Sequence, residues 1–235
     1  MLELTDISIN YGAIAAVNGI SLEVRPGGIT ALIGANGAGK SSTLRAIAGL
    51  VKPARGRIRL DGEDITAMPA HERARRGVSI AMEGRRLLHH HSVEENLTTA
   101  WHFRNPTGDL HEAIERVYND FPILRERRRV RAGTLSGGQQ QMLILSMATL
   151  HQPKLVLLDE PSLGLAPIII TQIYDFIRDY CAAGDRMVLV SEQMASLPLK
   201  VADYGYVLRH GEIALADTAV ALREGGLADA YLGMA

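Results

Sequence analysis

A single cysteine, Cys181, stands among the 235 residues. One thiol cannot build an intramolecular disulfide framework or a multi-cysteine metal site, and its scarcity fits a reducing compartment. Cys181 itself reads as a small buried hydrophobe. Charge of one sign is lacking too. Lysine plus arginine total 25 against 26 aspartates and glutamates, a net charge of -1, so no global field gathers nucleic acid or anionic lipid, and no nucleic-acid partner is expected. No apolar run approaches the roughly 18 residues of a spanning helix, and Met1-Leu2-Glu3-Leu4-Thr5-Asp6 carries acids where a signal peptide carries bases. The chain is therefore expected to be neither inserted nor exported by itself. Internal repeats and low-complexity linkers are missing as well. Present instead are 47% hydrophobic and 22% charged residues, enough to bury a substantial core and to exclude intrinsic disorder.

Leu2, Leu4, Ile7 and Ile9, then a Tyr11-Gly12 turn, then Ile20, Leu22 and Val24 alternate like half-buried antiparallel strands. From Ile29 to Ile33 a nearly continuous apolar run meets a glycine loop, followed by a helical segment from Ser42 to Ala48 that Gly49 closes. Strand, glycine loop and helix is the order of a nucleotide site. Arg57 to Leu60 and Ile65 flank the hairpin signal Asp61-Gly62, and Val78 to Met82 reads as another buried strand. Strand signals then vanish between about Gly84 and Leu135, where Ser92 with Glu95 makes a capping box for a helix through Trp101 and Asp109 opens another. Strands return at Leu155 to Leu158, Met187 to Val190 and Tyr204 to Leu208, separated by helical stretches such as Pro167 to Ala183. That alternation predicts a parallel sheet with crossover helices. One domain is expected, with 1–83 and 146–235 as its core and 84–145 as an inserted helical lobe.

Gly34-Ala35-Asn36-Gly37-Ala38-Gly39-Lys40-Ser41 satisfies the phosphate-loop pattern GxxxxGK(S/T) between a predicted strand and a predicted helix. Its glycines let backbone N–H groups curl around phosphate oxygens. Lys40 would bridge the β- and γ-phosphates, Ser41 would ligate Mg²⁺, and the positive end of the following helix adds favourable field. Leu155-Val156-Leu157-Leu158-Asp159-Glu160 delivers two acids at the carboxyl end of a buried strand, where ligands of open α/β sheets bind. Asp159 would hold Mg²⁺, directly or through its water shell, and Glu160 would polarise the attacking water. In Leu135-Ser136-Gly137-Gly138-Gln139 the serine and glutamine have capping-box spacing for a helix through about Leu150, and the glycines leave its N–H groups open to an anion. Lys40 already serves the phosphates bound by this chain, so a second anion site invites a nucleotide presented by another protomer.

These motifs, in this order, resemble the ATP-binding subunits of ABC transporters over nearly the whole chain. The resemblance implies an α/β P-loop NTPase of ABC type: a mixed-sheet core, an antiparallel β region and an inserted helical lobe. It implies ATP and Mg²⁺ as cofactors and a head-to-tail dimer sandwiching two ATP molecules, each held by Lys40 of one chain and Ser136, Gly137 and Gly138 of the other. Gly34, Asn36, Gly37, Gly39, Ser41 and Ser42 complete the expected nucleotide contacts, and Tyr11 matches the position whose ring stacks on adenine. Departures from the general pattern narrow the likeness. Glu83 stands where most members have a glutamine that senses Mg²⁺ and attacking water, Gln193 replaces the switch histidine, and Leu165 replaces an aspartate after Asp159-Glu160-Pro161. All three are similar to the smaller ATPase subunit of branched-chain amino-acid importers, as is the close Tyr231-Leu232-Gly233. Met147 and Met194 depart even from that subfamily, which has an arginine and an asparagine or aspartate there.

The resemblance implies two membrane permease subunits, a second related ATPase or a second copy of this chain, and indirectly an extracytoplasmic solute-binding protein, with the chain peripheral on the cytoplasmic face of the inner membrane. A urea or amide importer, or a soluble assembly ATPase of the same fold, is the alternative. The basic run Arg125, Arg127, Arg128, Arg129 and Arg131 has no interleaved aromatics to stack bases and reads as a solvated helix face or an interlobe contact. His89-His90-His91 reads as a loop rather than a metal site, because adjacent histidines rarely point at one ion.

Overall fold

The computed structural model describes residues 1–84, 86–103 and 108–226. In chain order the elements are β1 (Leu2–Tyr11), β2 (Ile14–Val24), β3 (Ile29–Ile33), α1 (Lys40–Ile47), β4 (Arg55–Leu60), β5 (Glu63–Asp64), α2 (Ala70–Arg75), β6 (Val78–Ala81) and α3 (Val93–His102). There follow α4 (Leu110–Asp120), α5 (Pro122–Glu126), α6 (Gly137–Thr149), β7 (Leu155–Asp159), α7 (Pro167–Ala182), β8 (Met187–Glu192), β9 (Tyr204–Arg209) and β10 (Glu212–Thr218).

Two sheets form. An antiparallel sheet has the order β2-β1-β4-β5, and a six-stranded sheet has the order β10-β9-β3-β8-β7-β6. Strands β9, β3, β8, β7 and β6 run parallel, whereas β10 returns antiparallel to β9 and makes the sheet mixed. All five residues of β3 and of β7 are buried, as befits strands covered on both faces. Their side chains alternate between two cores. Leu155 and Leu157 pack with α1 and the antiparallel sheet, and Val156 and Leu158 pack with the helices on the other face.

Both capping boxes exist. Ser92 caps α3 with Glu95, and Ser136 caps α6 with Gln139. Asp109 caps α4 by accepting from the N–H groups of His111 and Glu112. The helix expected from Ser42 starts two residues earlier, at Lys40, directly after Gly39, whose left-handed φ of +108° marks the end of the glycine loop. It ends with the N–H of Gly49 on the Ala46 carbonyl and that of Leu50 on Arg45, a Schellman closure.

Sequence reading did not find β10, α2, α5 or the part that Arg73 plays. This arginine on α2 is 1% exposed and donates to the carbonyls of Met68, Thr66, Ala46 and Ile47 at 2.7–2.9 Å. It thereby satisfies the last carbonyls of α1, the helix that begins at Lys40. Burial lowers its pKa, partly offset by the charge of Asp64.

Cys181 is buried, and burial pushes its thiol up to about 11. Of the basic run, Arg125 pairs with Glu115 on α4, whereas Arg127, Arg128, Arg129 and Arg131 are exposed. The exposed His89-His90-His91 loop pairs through its backbone with residues 132–133. Residues 231–233, part of the importer resemblance, lie outside the described residues, as does Arg85. Among the described residues no helix is long and apolar enough to cross a membrane.

Candidate functional site

The glycine loop leaves the end of β3 and is clasped by its neighbours. A Cβ on Gly34 would lie 2.5 Å from the carbonyl oxygen of Leu208 on β9, and one on Gly39 would lie 2.6 Å from that of Ala16 on β2. Gly39 also has φ +108°, in the left-handed region that disfavours side chains. These close approaches, rather than loop mobility, are why the two positions take glycine. Ala35, Asn36 and Gly37 are exposed at the rim, and Gly34–Ala38 with Val207–His210 line a cavity of about 270 Å³.

Lys40 crosses beneath this loop with 4% exposure. Its Nζ donates to the carbonyls of Gly34 at 2.8 Å and Ala35 at 3.1 Å, and lies 3.1 Å from Glu160 Oε1. The three N–H bonds of the ammonium thus have three partners.

The next residue joins α1 to β7. Ser41 Oγ donates to Asp159 Oδ1 at 2.9 Å, and Ser191 Oγ on β8 donates to the same oxygen at 2.8 Å. Asp159 Oδ2 is buried and has no hydrogen-bond partner. A buried carboxylate oxygen without a donor is costly unless a cation or its water meets it. The donor set therefore fits Mg²⁺, which takes one or two protein oxygens and completes its shell with water and phosphate. Among the described residues no three His, Cys, Asp or Glu side chains cluster as a metal site.

Glu160 follows with φ +48°, its N–H on the Ser191 carbonyl at 3.0 Å. Glu192, the last residue of β8, is 3% exposed. Its Oε1 accepts from the Ser162 N–H and from the Tyr174 hydroxyl, both at 3.0 Å. Burial raises the Glu192 pKa, with a further upward push from the charge of Glu160, against the lowering effect of those hydrogen bonds. Burial likewise raises the Tyr174 hydroxyl. Sequence reading named neither Ser191, Glu192 nor Tyr174 as site residues. The signal was the polar pair ending the β8 apolar run, as Asp159-Glu160 ends that of β7.

The remaining expected residues lie at the ends of their elements. Tyr11 is 43% exposed at the end of β1. Glu83 is exposed beyond β6, and Gln193 is exposed just past β8. Ser136 is exposed at the start of α6, where Gly137 and Gly138 form the first turn. A Cβ on Gly138 would meet Ile169 of α7 at 2.9 Å.

A phosphate loop whose lysine meets the acid that follows a parallel strand defines a P-loop nucleotide-binding α/β protein. The sequence pattern described as ABC transporter matches residues 17–163. The chain belongs to that family, as one of its ATPase domains. It is 45% identical over 234 residues to the high-affinity branched-chain amino acid transport ATP-binding protein BraG of Pseudomonas aeruginosa, covering 99% of this chain and 100% of that one. It is 31% identical to the probable branched-chain amino acid transport ATP-binding protein LivF of Archaeoglobus fulgidus, covering 95% and 94% respectively. The solved structure of an ATP-binding subunit of an ABC transporter superposes with a TM-score of 0.84 at 28% identity, covering 99% of this chain and 98% of that one.

Proposed function

We propose that the chain hydrolyses ATP to energise a membrane importer of branched-chain or similar amino acids. The observation that carries this reading is the buried meeting of Lys40, Glu160, Asp159 and Ser41, in a chain with 45% identity to BraG along its length. Incoming phosphate oxygens take the place of the Gly34 and Ala35 carbonyls and of Glu160 around Lys40, with Asn36, Gly37, Gly39 and Ser42 closing on them. Glu160, released from the lysine, accepts the proton of the attacking water. Ser41 and Asp159 would hold Mg²⁺, with Glu83 approaching it. The ion, when bound, offsets phosphate charge.

Tyr11, already exposed, stacks on adenine. Gln193 donates an amide hydrogen bond near the γ-phosphate. Ser136, Gly137 and Gly138, on the 84–145 lobe, offer the exposed start of α6 to a nucleotide held by a second copy or a related ATPase. Two permease subunits, and through them an extracytoplasmic binding protein, complete the assembly at the cytoplasmic face of the inner membrane.

Affinity purification of the tagged chain from detergent-solubilised native membranes, followed by mass spectrometry, tests this reading. Two permeases and a second ATPase are expected. Recovery of soluble scaffold proteins alone would overturn the importer in favour of an assembly ATPase.

A further inference from the structure

The segment that carries Glu160 is pinned to β8 on both sides of a proline. Pro161 has no N–H, so the only backbone donors near the turn are those of its neighbours. The Glu160 N–H goes to the Ser191 carbonyl, and the Ser162 N–H goes to the Glu192 carboxylate, each at 3.0 Å. One carboxylate oxygen also holds the Tyr174 hydroxyl, which ties α7 to the same point. The main-chain carbonyl of Glu192 accepts from Gly34 N–H at 3.2 Å, where the glycine loop begins. Glu192 therefore touches the loop, the turn after Glu160, and α7.

We infer that Glu192 is a positioning residue for hydrolysis, whose carboxylate oxygen fixes the Glu160-Pro161-Ser162 turn and so the place of the Glu160 side chain. This rests on the reading of Glu160 as the group that accepts the water's proton. The side-chain hydrogen bonds of Glu192 go to Ser162 and Tyr174 and not to Lys40, Ser41 or the loop glycines, whereas its main chain, unchanged by substitution, keeps the bond to Gly34. Its loss should spare nucleotide binding and spoil the chemical step. An oxygen acceptor rather than a charge is what the two donors require, so an amide can serve.

Steady-state ATP hydrolysis by the full chain, with hydrogen–deuterium exchange on the same samples, tests this with Glu192→Ala, Glu192→Gln and Glu160→Gln in parallel. For Glu192→Ala, kcat should fall at least about tenfold while KM for ATP stays within about threefold, following the loss of the acceptor for two buried hydrogen bonds. Exchange should rise at residues 162–165 while the 34–41 loop keeps its protection. Glu192→Gln should recover most of the rate and the local protection. Exchange raised evenly over the chain, or a wild-type kcat in Glu192→Ala beside an inactive Glu160→Gln, would overturn the role of Glu192. Loss of rate in Glu192→Gln as deep as in the alanine variant would also overturn it, since charge would then be the requirement. A Glu160→Gln variant at the wild-type rate would overturn the reading of Glu160 instead.

Discussion

Lys40 Nζ lies 3.1 Å from Glu160 Oε1, with side chains only 3% and 7% exposed. Two charges at this depth have each given up water, and removing one leaves the other stranded. The cation that would bind phosphate and the base that would accept the water's proton are thus each other's counter-ions. In the proposed reading, a bound nucleotide would offer Lys40 better acceptors and free the carboxylate for the water.

Lys40→Ala removes the phosphate donor and leaves Glu160 uncompensated. ATP affinity should fall about 10- to 100-fold, the range for losing a hydrogen bond between charged groups. Calorimetric titration with ATP checks this, and an unchanged dissociation constant would contradict the assigned role of the lysine.

Gly39→Ala puts a methyl group 2.6 Å from a backbone oxygen at φ +108°. Strain of about 1–3 kcal/mol from the backbone alone is expected, with the clash added to it. Thermal unfolding should show a lower Tm than the wild type, and an equal Tm would mean that the loop has room the close approach denies.

Ser191→Ala deletes one of the two hydroxyl donors that orient Asp159. Partners that orient a metal ligand are worth about 10- to 100-fold in metal affinity. The Mg²⁺ concentration for half-maximal ATP hydrolysis should therefore rise by about tenfold, while Lys40-dependent nucleotide binding without metal stays the same. An unshifted Mg²⁺ dependence would separate Ser191 from the metal.

Glu192 has its pKa raised above the usual 4.5, chiefly by burial. The folded chain then holds a proton that the unfolded chain has released, so this residue's contribution to stability declines as pH rises from about 4.5 toward the folded value. Glu192→Gln removes the ionisation. Its Tm relative to wild type should climb as the pH rises above about 4.5, the ordinary value of the carboxyl. A difference that is flat with pH would mean the carboxylate is not strained by burial.

What was legible in the sequence was local or periodic. Ser92 with Glu95 and Ser136 with Gln139 satisfy each other across a single turn, so spacing alone exposes them. The apolar runs of β3 and β7 mark buried strands, and the loop before α1 has its chemistry in consecutive residues. Ser191 meets Asp159 across 32 positions, and Glu192 meets Ser162 across 30. Arg73 reaches carbonyls 26 and 27 positions away. The Ser191 and Glu192 contacts exist only once the sheet order brings β8 beside β7, and those of Arg73 only once α2 packs on the end of α1, which no local pattern reports. The β9–β10 hairpin could have been found, since His210 and Gly211 both take positive φ between Arg209 and Glu212 and glycine at the second place favours that turn.

The measurement closest to the centre is ATP binding and phosphate release on the same preparation of wild-type and Glu160→Gln chains. Binding should be equal or tighter in the variant, because Lys40 no longer has a carboxylate to leave. Phosphate release should fall by roughly 10²- to 10⁴-fold, the usual worth of a positioned base. Release at the wild-type rate, with binding intact, would contradict Glu160 as the base and with it the proposed hydrolytic centre.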